Sequence, residues 1–144
     1  MKDKYTKILS CINCSNSDLK KLEDSLKCEK CNLSFQIKNN KIYFSKNFFS
    51  TKKWDDKDYY NFDLFERTKK IDMPNIIHGP KIGDLRKYLN LNDNEIAINL
   101  GGGSNKFENI LNYDLGEYEN VDIVGELENL PFKDEIAKLL ISNS

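Results

Sequence analysis

Two pairs of cysteines with identical spacing are the residues in this sequence best suited to chemistry. Cys11 and Cys14 form one C-x2-C pair, and Cys28 and Cys31 form a second pair after a gap of 13 residues. Zinc prefers four tetrahedral ligands, and two such pairs can supply four thiolates to one ion. Because four thiolates leave no position open for water, the pattern predicts a structural Zn2+ site rather than a catalytic one.

Two disulfides and two redox-active C-x-x-C motifs are the alternative interpretations of these cysteines. Disulfides are typical of oxidising compartments, whereas the N-terminus shows no signal-peptide core and we expect a cytoplasmic protein. A redox motif is expected in a thioredoxin-like unit, and two such motifs within 21 residues do not fit that arrangement. His78, the single histidine, is not needed as a metal ligand.

The residues around the cysteines predict a small β-rich unit. We expect a short strand at 5–9, a turn of helix at 17–22, and a strand at 33–37, where apolar residues alternate. Asn39-Asn40 favours a hairpin turn because asparagine tolerates positive φ, and 42–44 would form the returning strand. Two metal-binding knuckles beside a hairpin are typical of a zinc ribbon.

A glycine loop and a later acid are the second set of candidate functional residues. Gly101, Gly102 and Gly103 directly follow an apolar run, and Asp114 ends the next one. Glycine allows the backbone to approach a ligand closely. Short apolar runs lie at 96–100, 110–114, 121–124 and 137–141. Such runs, ending in glycine or an acid, are typical of a parallel α/β sheet whose ligand lies at the carboxyl ends of the strands.

The spacing of these residues argues against a dinucleotide cofactor. After Gly101 and Gly103, the last position of a G-x-G-x-x-G fingerprint is occupied by Lys106. Asp114 follows Gly101 by 13 residues, whereas the acid of a dinucleotide site is expected after about 20. NAD is therefore not the expected ligand.

Four blocks in the second half of the chain carry a family resemblance. They are INLGGGSN at 98–105, NYDL at 112–115, VDIVGE at 121–126 and ENLPF at 128–132. In this order and spacing they resemble the class I S-adenosylmethionine-dependent methyltransferase family, in its small type 11-like branch. The resemblance implies a Rossmann-like fold, S-adenosylmethionine as cofactor and methyl transfer as the activity.

The same resemblance implies roles for individual residues. Gly101 and Gly103 would lie against the methionine part of the cofactor, and Asp114 would bind the ribose hydroxyls. Glu126 would lie near the adenine with Leu127 beside it, and Glu126 stands where the family more often has Asp. A carboxylate suits ribose because it accepts hydrogen bonds from both vicinal hydroxyls. No side chain is nominated as a catalytic base.

Charge is distributed unevenly along the chain. Residues 1–53 contain 12 Lys and 5 acids, whereas residues 54–144 contain 10 basic residues and 18 acids. The basic first part favours contact with a polyanion, with a merely solvated surface as the alternative. Zinc ribbons similar to this one also recur on methyltransferases, including enzymes that methylate guanine in ribosomal RNA. We therefore expect RNA as a partner, with a small-molecule acceptor as the alternative.

Two features depart from the family pattern. Only nine residues separate Leu100 from Ile110, whereas a parallel crossover usually takes a dozen or more. The sequence also stops at Ser144, just after the fourth expected strand, so we expect the later strands and the acceptor pocket of the family to be missing. A truncated methyltransferase is the interpretation that follows.

Together these features predict an α/β protein in three parts. We expect a zinc ribbon at 1–49, a helical connecting segment at 50–94 that includes a helix at 80–89, and the first half of a Rossmann-like parallel-sheet methyltransferase domain at 95–144. The rival is a non-catalytic zinc-ribbon module that binds RNA or a partner enzyme, with the second part a remnant. A different nucleotide-binding α/β protein is a third possibility. No apolar run approaches the roughly 20 residues of a membrane helix, so no membrane association is expected.

Overall fold

Residues 3–45, 84–103, 105 and 107–142 are described by the structure, a computed structural model. Within these ranges the chain forms one mixed sheet of eight strands, accompanied by few helices. The strands are β1 (Leu19–Lys21), β2 (Ser25–Cys28), β3 (Ser34–Lys38), β4 (Lys41–Tyr43), β5 (Ile96–Leu100), β6 (Leu111–Asp114), β7 (Ile123–Val124) and β8 (Ala137–Ser142). A 3₁₀ helix (Asp3–Ile8) and a short α-helix, α1 (Leu85–Tyr88), are the described helices.

The first four strands form an antiparallel meander around the cysteines. β1 pairs with β2, β2 with β3, and β3 with β4. The β3–β4 hairpin turns at Asn39 and Asn40, whose φ angles are 51° and 60°. Two consecutive positive φ angles give the turn a twist that matches the flanking strands. The strand and the hairpin expected after the second cysteine pair are thus confirmed.

The last four strands are parallel and lie in the order β7-β6-β5-β8. Their positions confirm the four apolar runs as strands. Every residue of β5 is buried, because this strand has a neighbour on each side and is covered on both faces.

A parallel pairing joins the two sets of strands into one sheet. Ile42 of β4 lies opposite Ile123 of β7, and Tyr43 lies opposite Val124. The full order is therefore β1-β2-β3-β4-β7-β6-β5-β8. Because β4 is parallel to β7, its carboxyl end reaches the same edge of the sheet as the ends of β5, β6 and β7. This edge, the carboxyl edge, carries the candidate cofactor residues.

One hydrophobic core runs beneath both sets of strands. It contains buried side chains from the 3₁₀ helix, the cysteine pairs, the meander and the parallel strands, among them Ile8, Leu9, Cys11, Leu26, Cys28, Phe35, Ile42, Phe44, Ile98, Leu111, Tyr113 and Ile123. The opposite face of β5 and β8 is covered by Leu85 of α1 and by Phe107, which pack on Ala97 and Ile141. The metal knuckles and the parallel strands thus share one core.

Two local expectations are wrong. Residues 5–9 do not form a strand: they belong mainly to the 3₁₀ helix, where the i, i+3 spacing of Tyr5 and Ile8 buries both side chains on the core. Residues 17–22 do not form a helical turn, because 19–21 are strand β1, which gains hydrogen bonds from β2. A single helical turn is unstable alone, so pairing with a neighbouring strand decides the conformation.

Among the described residues of the second part, up to 142, there are fewer helices than a Rossmann-like half requires. α1 lies within the helix expected at 80–89, while most of the expected connecting segment at 50–94, including His78, lies outside the described residues. In the parts of 101–110 that the structure describes, the crossover consists of turns and irregular chain. The division into 1–49, 50–94 and 95–144 stays a prediction. No helix among the described residues is long and apolar enough to cross a membrane.

Candidate metal centre and glycine-loop site

The two cysteine pairs have matching backbone conformations. In the first, the N–H of Ser15 donates to Cys11 O at 2.8 Å; in the second, the N–H of Asn32 donates to Cys28 O at 2.9 Å. Ser15 and Asn32, each directly after the second cysteine of its pair, have φ angles of 55° and 61°. The two turns are therefore equivalent knuckles.

The knuckles bring all four sulfur atoms together. Cys11 Sγ lies 3.5 Å from Cys31 Sγ, and Cys14 Sγ lies 3.6 Å from Cys28 Sγ. All four sulfurs lie within 4.8 Å of one another. Tetrahedral zinc with Zn–S bonds of about 2.3 Å requires sulfurs about 3.8 Å apart. The donor set and its spacing therefore fit a zinc ion, and the expected cysteine cluster is present.

Backbone N–H groups prepare one side of the cluster for metal binding. Hydrogen bonds from the backbone N–H of Cys31, and to a lesser extent from that of Lys30, lower the pKa of the Cys28 thiol to about 6, although desolvation acts in the opposite direction. The pKa of Cys31 is lowered as well, chiefly by the N–H of Leu33. Burial acts in the opposite direction at Cys11 and raises its pKa to about 12. Since a metal binds thiolates, the second knuckle gives up its protons to an incoming metal more readily than the buried Cys11 does.

The alternative chemistry of the cysteines does not fit this geometry. All four are free thiols. Cys28 ends strand β2 and is followed by the knuckle turn rather than by a helix. The strand-to-helix junction of a thioredoxin-like motif is therefore missing at this pair.

The glycine loop leaves the carboxyl edge between β5 and β6. The N–H of Gly101 donates to Tyr113 O at 2.9 Å, and the N–H of Gly103 donates to Asp114 Oδ2, also at 2.9 Å. Gly101 and Gly103 have φ angles of 66° and 56°, which glycine adopts without strain. A Cβ on Gly103 would meet none of the described residues within 4 Å, apart from its chain neighbours, so on this side the loop leaves room for a ligand.

Asp114 is held in place by two backbone donors. Its Oδ2 accepts from Gly103, and its Oδ1 accepts from the N–H of Gly116 at 2.7 Å. A carboxylate oxygen offers two lone pairs, so each oxygen can accept a further hydrogen bond. The half-buried carboxylate is thus oriented and still able to bind vicinal hydroxyls.

Glu126 and Leu127 follow β7 at the same edge. Glu126 Oε1 accepts a hydrogen bond from Ser45 Oγ at 2.8 Å, and its carbonyl accepts one from the hydroxyl of Tyr113 at 2.7 Å. Leu127 is 53% exposed, which leaves its side chain accessible to a ligand. Of the candidate cofactor residues, Gly103 and Asp114 are thus in direct contact. Glu126 contacts the strand of Asp114 through the hydroxyl of Tyr113.

Two glycines are required by close packing, a role that the sequence analysis assigned to neither of them. A Cβ on Gly102 would lie 2.3 Å from Asn99 Nδ2 and 3.3 Å from Asn112 Oδ1. A Cβ on Gly125 would lie 2.3 Å from the hydroxyl of Tyr113. The signal available in the sequence was the presence of polar residues within otherwise apolar strands. Buried polar groups need partners, so such residues indicate close packing in their surroundings.

A pair of buried asparagines lies directly beneath the glycine loop. Asn99 Nδ2 donates to Asn112 Oδ1 at 3.1 Å, and Asn112 Nδ2 donates to the carbonyl of Asn120 at 3.2 Å. Because a carbonyl can only accept, this chain sets the orientation of both amides. Asn99 Oδ1 is buried and has no hydrogen-bond partner among the residues that the structure describes.

Comparisons with known proteins give no family assignment. No protein-family model matches the chain, and no curated protein matches it significantly. The functional interpretation therefore rests on the geometry and on the residues described above.

Proposed function

We propose that this chain binds S-adenosylmethionine at the carboxyl edge of its parallel strands and belongs to a methyl-transfer system stabilised by a structural zinc ion. The observation that carries the proposal is the hydrogen bond between the Gly103 N–H and the Asp114 carboxylate. It joins the glycine loop after one strand to the acid that ends the next strand.

The strand order supports a nucleoside site at this position. Numbered along the chain, the four parallel strands lie in the order third, second, first, fourth. This is the order of the first four strands in the doubly wound nucleotide-binding fold, where ligands bind at the carboxyl ends beside the point at which the order reverses. Here that point lies between β5 and β8, directly beside the glycine loop.

The charge at the edge favours a cationic cofactor over a pyrophosphate. Asp114 ends β6, while Glu117 follows β6 and Glu126 follows β7; the two glutamates are half-buried beside β4. Carboxylates attract a positive charge and repel a phosphate. S-adenosylmethionine carries a sulfonium and an ammonium group, whereas NAD carries two phosphates.

The roles of the residues follow from their contacts. Asp114 would accept hydrogen bonds from the ribose hydroxyls, while Gly101 and Gly103 would leave room for the methionine part. Glu126 and Leu127 would lie beside the adenine. When bound, the cofactor supplies an electrophilic methyl group, and the chain contributes binding and orientation. RNA stays the acceptor class that the basic first part predicts.

Calorimetric titration of S-adenosylmethionine into the zinc-loaded full chain tests the proposal. We expect Asp114→Asn, which keeps the shape of the side chain, to weaken binding about 10–100-fold, because charged hydrogen bonds to the cofactor are lost. Asp134→Asn is the matched control, since this exposed residue precedes β8 at the opposite edge. No binding by the wild-type chain, or equal affinities for the two variants, would refute the proposal.

A further inference from the structure

Strand β4 belongs to the meander of the metal knuckles but presents its other face to the candidate cofactor site. Ile42 and Phe44 point into the core that contains Cys11 and Cys28. Lys41, Tyr43 and Ser45 alternate with them and are also buried. Because successive side chains of a strand point to opposite faces, β4 contacts the metal side and the cofactor side at once.

Each of these three polar side chains binds the chain that follows β6 or β7. Lys41 Nζ donates to the carbonyl of Tyr118, the Tyr43 hydroxyl donates to Glu117 Oε1 at 2.5 Å, and Ser45 Oγ donates to Glu126 Oε1 at 2.8 Å. Burial, followed by the hydrogen bond and charge of Glu117, raises the pKa of Tyr43, so this hydroxyl stays protonated and donating. Two carboxylates at the carboxyl edge are thus oriented, one by Tyr43 of β4 and one by Ser45, which follows β4.

The first metal knuckle holds the other end of the same segment. Asn129 Nδ2 donates to the carbonyl of Ile12, which lies between the two cysteines of that knuckle. The backbone N–H of Ser10 donates to the carbonyl of Pro131 at 2.9 Å, and the backbone N–H of Lys133 donates to the carbonyl of Ile8 at 3.0 Å. Residues 126–133, which include Glu126 and Leu127, are therefore held at one end by Ser45 and at the other by the first knuckle and the residues before it.

We infer that Ser45 is a positioning residue for Glu126 and that zinc loading raises the affinity for cofactor by fixing the segment 126–133. This inference rests on the proposed function and adds a regulatory link to it. Zinc stabilises the first knuckle and the core beneath β4, and both structures hold the segment. A chain that lacks zinc loses the two anchors and with them the orientation of Glu126.

Cofactor affinities of serine variants test the positioning role. Ser45→Ala should weaken S-adenosylmethionine binding about 3–10-fold, less than the direct loss of a charged hydrogen bond to the cofactor, because Ser45 acts only through the position of Glu126. Ser45→Thr keeps the hydroxyl and should restore the wild-type affinity. Ser34→Ala, an exposed position on β3, is the matched control and should bind like the wild type.

A double-mutant cycle separates positioning from general stability. If Ser45 acts through Glu126, Ser45→Ala should have no further effect on the affinity in a Glu126→Ala background, which removes the oxygen that Ser45 bonds. An equal loss of affinity in both backgrounds, or no loss in either, would overturn the positioning role. A wild-type chain that binds no cofactor would instead refute the proposed function itself, and the inference would fall with it.

Reciprocal binding measurements test the link to zinc. Because coupling between two sites is symmetric, saturating S-adenosylmethionine should raise the zinc affinity by the factor by which zinc raises the cofactor affinity. Ser45→Ala should reduce that factor. A zinc affinity that is the same with and without cofactor, in a chain that binds both, would overturn the link.

Discussion

Replacing Gly102 by alanine is expected to destabilise the protein far more than the same replacement at Gly103. The new Cβ at position 102 would lie 2.3 Å from Asn99 Nδ2, so one of the two groups must move by about 1 Å to reach normal contact. Asn99 cannot move freely, since its amide is bonded to Asn112, which is bonded in turn to the carbonyl of Asn120.

The size of the effect follows from these contacts. Overpacking a buried site costs about 1–3 kcal/mol. Breaking the Asn99–Asn112 hydrogen bond leaves a buried acceptor unsatisfied and adds about 1–3 kcal/mol. At Gly103 only the φ of 56° opposes alanine, because the space around it is open, and this costs about 1–2 kcal/mol. We therefore expect Gly102→Ala to lower the free energy of unfolding by about 2–6 kcal/mol.

Urea denaturation of the two zinc-loaded variants measures the difference directly. The order should reverse for ligand binding. Gly103→Ala places a methyl group at the proposed cofactor site, so among folded variants it should reduce cofactor affinity more than Gly102→Ala does. Asn99→Ala removes the clashing amide, and its effect should not add to that of Gly102→Ala. Equal destabilisation by the two glycine replacements, or strict additivity with Asn99→Ala, would refute the packing argument.

Two further outcomes are expected. Cys28→Ser removes one of the four thiolates and should reduce zinc affinity, measured by competition with a chelator, by more than about 100-fold, because loss of a mere hydrogen-bond partner of a ligand already costs roughly 10–100-fold. Ser34→Ala is the control and should bind one zinc per chain. A stoichiometric, tightly bound zinc in Cys28→Ser would contradict the four-thiolate site. Burial first, and neighbouring glutamates second, raise the pKa of Tyr43 and Tyr113 above the usual 10.0, so their contribution to stability is complete below pH 10 and is lost as the pH rises through their folded-state values. Ultraviolet titration of the seven tyrosines should therefore show a late-ionising group in folded protein that disappears in urea; identical curves would contradict the assigned burial.

Local patterns predicted the cysteine cluster and most of the strands correctly. The knuckles depend on spacing within four residues, and the β3–β4 turn depends on two adjacent asparagines, so neighbouring residues contain the necessary information. The apolar runs at 96–100 and 137–141 are strands for the same reason. Each of these elements is specified by interactions that are close in sequence.

The errors and omissions come from contacts between distant residues. Residues 17–22 have helical spacing, but pairing with β2 makes 19–21 a strand, and pairing of Leu9 with Phe132 ends the 3₁₀ helix of the N-terminus. The pairing of β4 with β7 and the bond from Ser45 to Glu126 connect residues about 80 positions apart, for which a single sequence gives no periodic signal. Tertiary context overrides local propensity at these positions.

The pairing of β4 with β7 also affects how the chain folds during synthesis. β4 leaves the ribosome about 80 residues before β7, an interval of roughly 4–16 s at the usual rate of about 5–20 residues per second. During that interval the cysteine knuckles can already close around a metal ion, while one edge of β4 has unpaired backbone groups. An unpaired edge strand is a template for aggregation. In this interval the metal-binding part can already be folded, while the edge of β4 still lacks its partner β7. A chaperone would therefore have most effect on this partly folded chain.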